Sequence, residues 1–407
     1  MSITQDQRIV TTVISKFSFF VTLLFATSIT TAAQPPTTLV LDGKALEANR
    51  TSTDPAIKNA ISDVRRKADQ LVKARRTYSV INKPQIPPSG DKHDYMSQGP
   101  YWWPDPAKPN GLPYIRRDGE RNPELLKIPD STQLDDMAGD TETLALAYFF
   151  TRDEKYAIHA VAVIRTWFID PKTRQNPNLN FGQGIPGISS GRGIGLIETR
   201  RLCRVIDAAK LLEGSSSWAK ADGYGLKKWF SDFLNWMIES PIGKDEADER
   251  NNHGTFYDVQ VIAYAIFTDR RDLALKQIEI ARARIGSQIE PDGSQPHELG
   301  RTLSWGYANM NLYGFFTIAR LAENVGVDLW TYESVDGRGI RKALIWFMPF
   351  IRNEKVWIYK QIKPREFAQT VTLLAIAAHK YNEPTNHRIA SQLGENHDRN
   401  YAEILGH

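Results

Sequence analysis

The sequence predicts an all-α chain folded as an α/α toroid, an incomplete barrel of helical hairpins with long ordered loops at its cleft. Three observations predict it. From Asp136 onward apolar residues recur at helical spacing, and the alternation expected of half-buried strands is nearly absent. Some segments, such as Val259 to Phe267, are apolar on nearly every side, whereas the next one, 270–287, carries a charged face. Helices dry all round alternating with helices wetted on one side suit an inner ring backed by an outer one.

The elements follow in chain order. Arg8 and Lys16, the apolar run Phe17 to Ala26, and Thr31-Ala32-Ala33 have the three-part layout of a secretory signal peptide over 1–33. That run is short for a bilayer span, and no later segment reaches membrane length, so the remaining chain is expected without a membrane partner and in a periplasmic or secreted location. Residues 34–55 form a polar lead-in, and Asp54-Pro55 opens a helix to about Arg76. A connector with Pro84, Pro87 and Pro88 leads to MSQGPYWWPDPAKPNG at 96–111, too rich in proline for regular structure and too aromatic for a disordered tail. Helices are predicted over 136–151, 153–168, 199–213, 223–240, 255–267, 270–287, 304–325, 337–351, 366–381 and 386–397. Between the second and third lies a loop at 171–195, rich in Gly, Asn and Gln, whose Phe181, Ile185 and Ile188 favour order. No composition break divides 34–407, so a single domain is expected.

Composition excludes several functions. A net charge of +4 spread along the chain argues against nucleic acid, which needs a concentrated basic stripe, and is compatible with an acidic polymer. The single cysteine, Cys203, rules out an intramolecular disulfide or a multi-thiolate metal site, and its apolar surroundings suit an inert core thiol. GRGIG at 191–195 is neither a dinucleotide fingerprint nor a P-loop, and no cofactor or metal is implied. Oligomeric state leaves no trace in the sequence.

The candidate chemistry lies at two helix entrances. His253 follows two amides and precedes a Gly and a capping Thr, at a loop-to-helix junction. Arg301 and Tyr307 surround another helix start, with Ser304 as the N-cap of a run beginning at Trp305. Two entrances aimed at one cleft bring together a His, an Arg and a Tyr.

These segments also carry a resemblance. NNHGTFYD at 251–258, NPNLNFGQ at 176–183 with GRGIG at 191–195, GPYWWPDP at 99–106 and RTLSWGYANM at 301–310 resemble polysaccharide lyases of the alginate lyase type, helical toroids that cleave polyuronates by β-elimination. The resemblance spans about residues 90–330, and WWPDP is most similar to the branch holding alginate and glucuronan lyases. It implies an acidic polysaccharide as partner, most of all mannuronate-type alginate, and a catalytic set of Asn252, His253, Arg301 and Tyr307. Tyr101, Trp102, Trp103, Asn180, Gln183, Arg192, His297 and Trp305 are then the substrate-binding candidates.

The chemistry explains why such residues should meet. Removing the C5 proton of a uronate places charge beside a carboxylate, so amide and cationic donors must hold that carboxylate first; Asn252 and Arg301 are the candidates. A base then takes the proton and an acid protonates the departing C4 oxygen. Tyr307 serves both steps if Arg301 lowers its phenol from about 10. Otherwise His253 is the base and Tyr307 the acid.

Rival classes stay open at this level. An inverting hydrolase needs two carboxyls, for which Asp136, Asp140, Glu198, Asp258 and Glu298 are available. His297-Glu298 opens like a zinc motif, but Arg301 stands where the second His belongs. A non-catalytic sugar binder needs only the Trp-rich loop. Lys360, Lys363 and Arg365 form a late basic cluster that suits a solvated loop or a distant uronate.

Overall fold

Helix signals in the sequence become helix ends in the fold. The computed structural model describes Met1, Ser2 and residues 34–394, so the segment read as a signal peptide lies, beyond its first two residues, outside them. Asp42 caps α1 (Gly43–Asn49) and Asp54 caps α2 (Pro55–Ala74), each carboxylate accepting from an N–H of the first turn. There follow α3 (Asp130–Thr151), α4 (Glu154–Ile164), α5 (Leu202–Leu212), α6 (Lys220–Glu239), α7 (Pro241–Ala247), α8 (Asn252–Phe267), α9 (Arg271–Gln288), α10 (Pro296–Leu299), α11 (Ser304–Glu323), α12 (Ile340–Ile351), α13 (Ala368–Lys380) and α14 (Pro384–Gly394).

The two-ring arrangement follows from burial. Helices α3, α5, α8, α11 and α13 pack side by side in that order, while α4 backs α3, α6 and α9 back α8, α12 backs α11, and α14 backs α13. Along α8 every residue from Gly254 to Ala265 is buried, as the all-round apolar sequence requires. On α9 the buried apolar residues are spaced as one stripe, Ala274, Ile278, Ala281 and Ile285, and of its charged side chains Arg284 turns inward to the buried Asp258. Phe315 on α11 is fully buried, and its replacement by Ala should cost about 3–5 kcal/mol.

Three sequence expectations are corrected. The proline-rich stretch does contain strands: β1 (Met96–Gln98) pairs in parallel with β4 (Phe181–Gly184), and β2 (Trp102–Trp103) pairs antiparallel with β3 (Ile115–Arg116). Strands of two to four residues are too short to leave an alternation signal. The lead-in, read as polar, also buries Leu39, Leu41 and Leu46 in the core. Its Leu39, Val40 and Leu41 N–H groups all donate to the Asp207 carboxylate, at 2.6, 3.0 and 2.7 Å, and Asn324 and Arg320 donate to the Leu39 and Leu41 carbonyls. Residues 38–41 thus strap the ring at the C-terminal end of α11. Burial pushes the Asp207 carboxyl up to about 6, against the pull of those three N–H donors. Finally, α8 begins at Asn252 with Asn251 as its cap, so His253 sits in the first turn of the helix rather than before it.

Candidate active site

The entrance of α8 is built around a carboxylate the sequence did not single out. The Asn251 side chain accepts from the His253 N–H at 2.9 Å and fixes the first turn. His253 Nδ1 then meets Glu246 Oε1 of α7 at 2.9 Å, with the glutamate side chain wholly buried and the histidine 13 % exposed. With Nδ1 engaged, Nε2 is the ring nitrogen left for the cleft. Burial raises the Glu246 carboxyl, and His253 draws it back down.

Gly254 explains how α7 and α8 hold this geometry. A Cβ there would meet Arg284 Nη1 and the Glu249 carbonyl, both at 2.1 Å. The guanidinium passes through that gap to the Ala247 and Glu249 carbonyls, and it is anchored by Asp258 at 2.8 Å. An Arg on α9 therefore clamps the turn between Glu246 and His253.

Asn252 is fully buried. Its N–H and Nδ2 both donate to the Glu298 carboxylate of α10, at 2.6 and 2.8 Å, and its Oδ1 is buried with no hydrogen-bond partner among the described residues. One of the two N–H donors of that amide is therefore engaged by Glu298, which fixes the orientation of the side chain. Glu298 also lies within electrostatic reach of both His253 and Arg301, and so joins the two helix entrances.

At the second entrance, Arg301 donates through Nε and Nη2 to Asp118 at 3.2 and 2.7 Å. Thr302 and Arg116 add donors to the same carboxylate, which is held well below the usual range despite its partial burial. So fixed, the Arg301 guanidinium lies 3.7 Å from the centre of the Tyr307 ring. The Tyr307 hydroxyl is 2.7 Å from that of Tyr101. The expected lowering of the phenol is corrected here: burial, with Tyr101, raises it well above its ordinary value, and Arg301 opposes this only in part. The resting phenol is protonated.

Above these groups lie the paired loops. Gln183 adopts a left-handed φ of 48°, and its N–H donates to Ser97 Oγ at 2.8 Å. Ser97 and Tyr95 in turn donate to the buried Glu198, at 2.6 and 2.7 Å. Arg192 donates to the Gln183 carbonyl at 3.1 Å and to its Oε1 at 3.0 Å, and its guanidinium stands 5.8 Å from the Trp102 ring. It senses Arg116 on one side and Glu246 on the other. Trp103 is partly buried, with its indole donating to the Glu120 carbonyl, and Asn180 Oδ1 accepts from Trp236 at 3.0 Å.

Two substrate-binding candidates fall outside this assembly. Trp305 has no exposed surface: it packs among Phe347, Trp357 and Phe367 and donates to the Glu366 carbonyl, so it is a core residue, corrected by its place on the inner turn of α11. His297 is exposed on α10 and takes no part in the bonded cluster. Four of the five hydrolase acids are committed elsewhere, Asp140 to Tyr78, Glu198 to Ser97 and Tyr95, Asp258 to Arg284 and Gln277, and Glu298 to Asn252, and Asp136 is exposed on α3. Sequence reasoning missed Glu246 and Asp118 because a lone acid in a loop or short helix has no signature until its cation is placed beside it.

The alginate lyase family profile matches residues 79–357. An alginate lyase from Bacteroides ovatus superposes with a TM-score of 0.85 at 39 % identity, over 91 % of this chain and 99 % of its own. Alginate lyase A1-III from Sphingomonas species A1 shares the fold at 16 % identity, with a TM-score of 0.57 over 91 % of this chain and 97 % of its own. A His-to-Ala variant of A1-III, complexed with a tetrasaccharide, matches with a TM-score of 0.55 at 17 % identity, over 83 % of this chain and 88 % of its own. No curated protein sequence matches the chain. The α/α toroid, the extent of the family match and the 39 % identity over nearly the whole chain place it together: the protein is a polysaccharide lyase and belongs to the alginate lyase family.

Proposed function

We propose that the enzyme cleaves 1,4-linked polyuronate, alginate of the mannuronate type above all, by β-elimination that leaves 4,5-unsaturated uronate ends. The observation that carries this reading is Tyr307, with the Arg301 guanidinium against its ring and a second phenol on its hydroxyl. A cation on the ring stabilises a phenolate, and a buried neutral phenol is an acid ready for a leaving oxygen. In mannuronate the C5 hydrogen and the C4 oxygen share a face, so one group can take the first proton and deliver it to the second site. Tyr307 is that group once its own phenolic proton has passed to solvent: the phenolate takes the C5 proton and hands it to the departing C4 oxygen, and is a phenolate again. His253, fixed by Glu246, and Arg301, fixed by Asp118, supply donors for the uronate carboxylate and hold the negative charge of the enolate.

The substrates of the relatives support alginate, and glucuronan is the second substrate of the same mechanism, favoured by the WWPDP segment at 102–106. The test is a panel of mannuronan, guluronan and glucuronan followed by ultraviolet absorbance, with product sizing. A strong signal on mannuronan is expected, and hydrolysis without a chromophore would reject the mechanism. The basic and apolar layout of residues 8–33 further supports an exported enzyme with one lyase domain over 34–407, to be checked by amino-terminal sequencing of the mature protein. No helix among the described residues is long and apolar enough to cross a membrane.

A further inference from the structure

The axis of the ring holds a cavity of about 150 Å³, roughly the size of one that accommodates a single six-membered ring. It lies directly beneath the two helix entrances: Phe256 is one turn below His253 on α8, and Met310 is one turn below Tyr307 on α11. Val259 continues the wall, and Val40 and Leu41 of the amino-terminal strap line its floor. Apolar walls of this kind suit the C–H faces of a sugar.

The charges around the cavity are unevenly matched. Glu142 is paired with Arg204 at 3.1 Å, Arg201 with Asp135 at 3.3 Å, and the Asp207 carboxylate is occupied by the three strap N–H groups. Arg200 differs. Its Nη1 donates to the Ile197 carbonyl at 2.8 Å and its guanidinium stands 6.0 Å from the Phe256 ring, yet among the described residues no carboxylate lies within ion-pair distance of it. Burial, with the neighbouring Arg201 and Arg204, works against its charge, and Asp135 and Glu198 offset this only in part from beyond ion-pair distance. Enclosed cations are stable when an anion meets them, so this one calls for a counterion from outside the chain.

We propose that the axial cavity is a subsite for one terminal uronate, whose carboxylate pairs with Arg200 while its ring packs on Phe256, Val259 and Met310. The strap floors the cavity, so the occupant is a chain end and not the middle of a polymer. This assignment rests on the polyuronate reading of the cleft above it.

Binding is measured by calorimetry on the full chain, using a saturated hexuronate dimer as probe with the neutral hexose dimer and inorganic phosphate as controls. The uronate is expected to bind wild type and Tyr307→Phe alike, to bind Arg200→Gln at least about tenfold more weakly, and to outcompete both controls. If Arg200→Gln does not fold, Arg200→Lys serves instead: it keeps the charge, loses the two-donor fork, and should bind the dimer several-fold more weakly. Unchanged binding in the folded variant overturns the subsite, and equal binding of phosphate overturns its assignment to a uronate. Failure of the polyuronate reading looks different, because wild type would then produce no ultraviolet-absorbing ends from any polymer in the panel.

Discussion

Two arginines of the cleft are held in opposite ways. Arg301 is fixed by a carboxylate, Asp118, whereas Arg192 is fixed by the neutral oxygens of Gln183. In the first case the partner absorbs part of the charge and locks the guanidinium against Tyr307. In the second the position is set and the charge is left whole. The contrast separates a cation that tunes a reacting group from one available to grip a polymer, and a similar division distinguishes the helix entrances from the loops above them.

The division is broken most directly at Tyr307. Tyr307→Phe should lower kcat by about 10²–10⁴ with polymer binding largely kept, read by ultraviolet assay beside equilibrium binding. A fully active variant would remove Tyr307 from the reaction. Asp118→Asn should come next, with kcat down by about tenfold or more and KM little changed, because Arg301 loses its anchor. The same pair carries a pH signature. The Asp118 carboxyl is depressed in the fold, so its stabilisation is present above about pH 4, its unfolded value, and fades as pH falls toward the folded one. Thermal melting of Asp118→Asn against wild type should therefore differ at neutral pH and converge in acid.

On the other side of the comparison, Arg192→Gln should raise KM about tenfold while sparing kcat, and the wild-type KM should climb with added salt as the grip is screened. A fall in kcat equal to that of Asp118→Asn would erase the distinction. Tyr101→Phe is the finest probe. Removing the neighbouring hydroxyl takes away one influence that favours the neutral phenol of Tyr307, so its pKa should fall. If Tyr307 is the base, the rising alkaline limb of kcat/KM moves to lower pH. A falling limb that moves the same way would make it the acid alone, with His253 as its partner.

How far the sequence could be read depended on whether the signal was local. Helix α11 was legible because its apolar spacing is long and regular, and the predicted range 304–325 differs from Ser304–Glu323 only at its frayed end. His253, Arg301 and Tyr307 were legible as residues at helix entrances. What stayed hidden was whatever depends on a partner distant in the chain. Asp118 meets Arg301 across 183 residues, and Tyr101 meets Tyr307 across 206. Trp305 misled for the same reason: an aromatic beside a catalytic candidate looks like a stacking surface until Phe347, Trp357 and Phe367 enclose it. The phenol of Tyr307 was misjudged because Arg301 was weighed without the burial that outweighs it.

The three N–H groups fastened to Asp207 give the strap at 38–41 the role of a cork. A barrel stoppered at one end fills and empties through the other alone. Trimming the chain past Leu41 would uncork it and open the floor of the cavity to solvent.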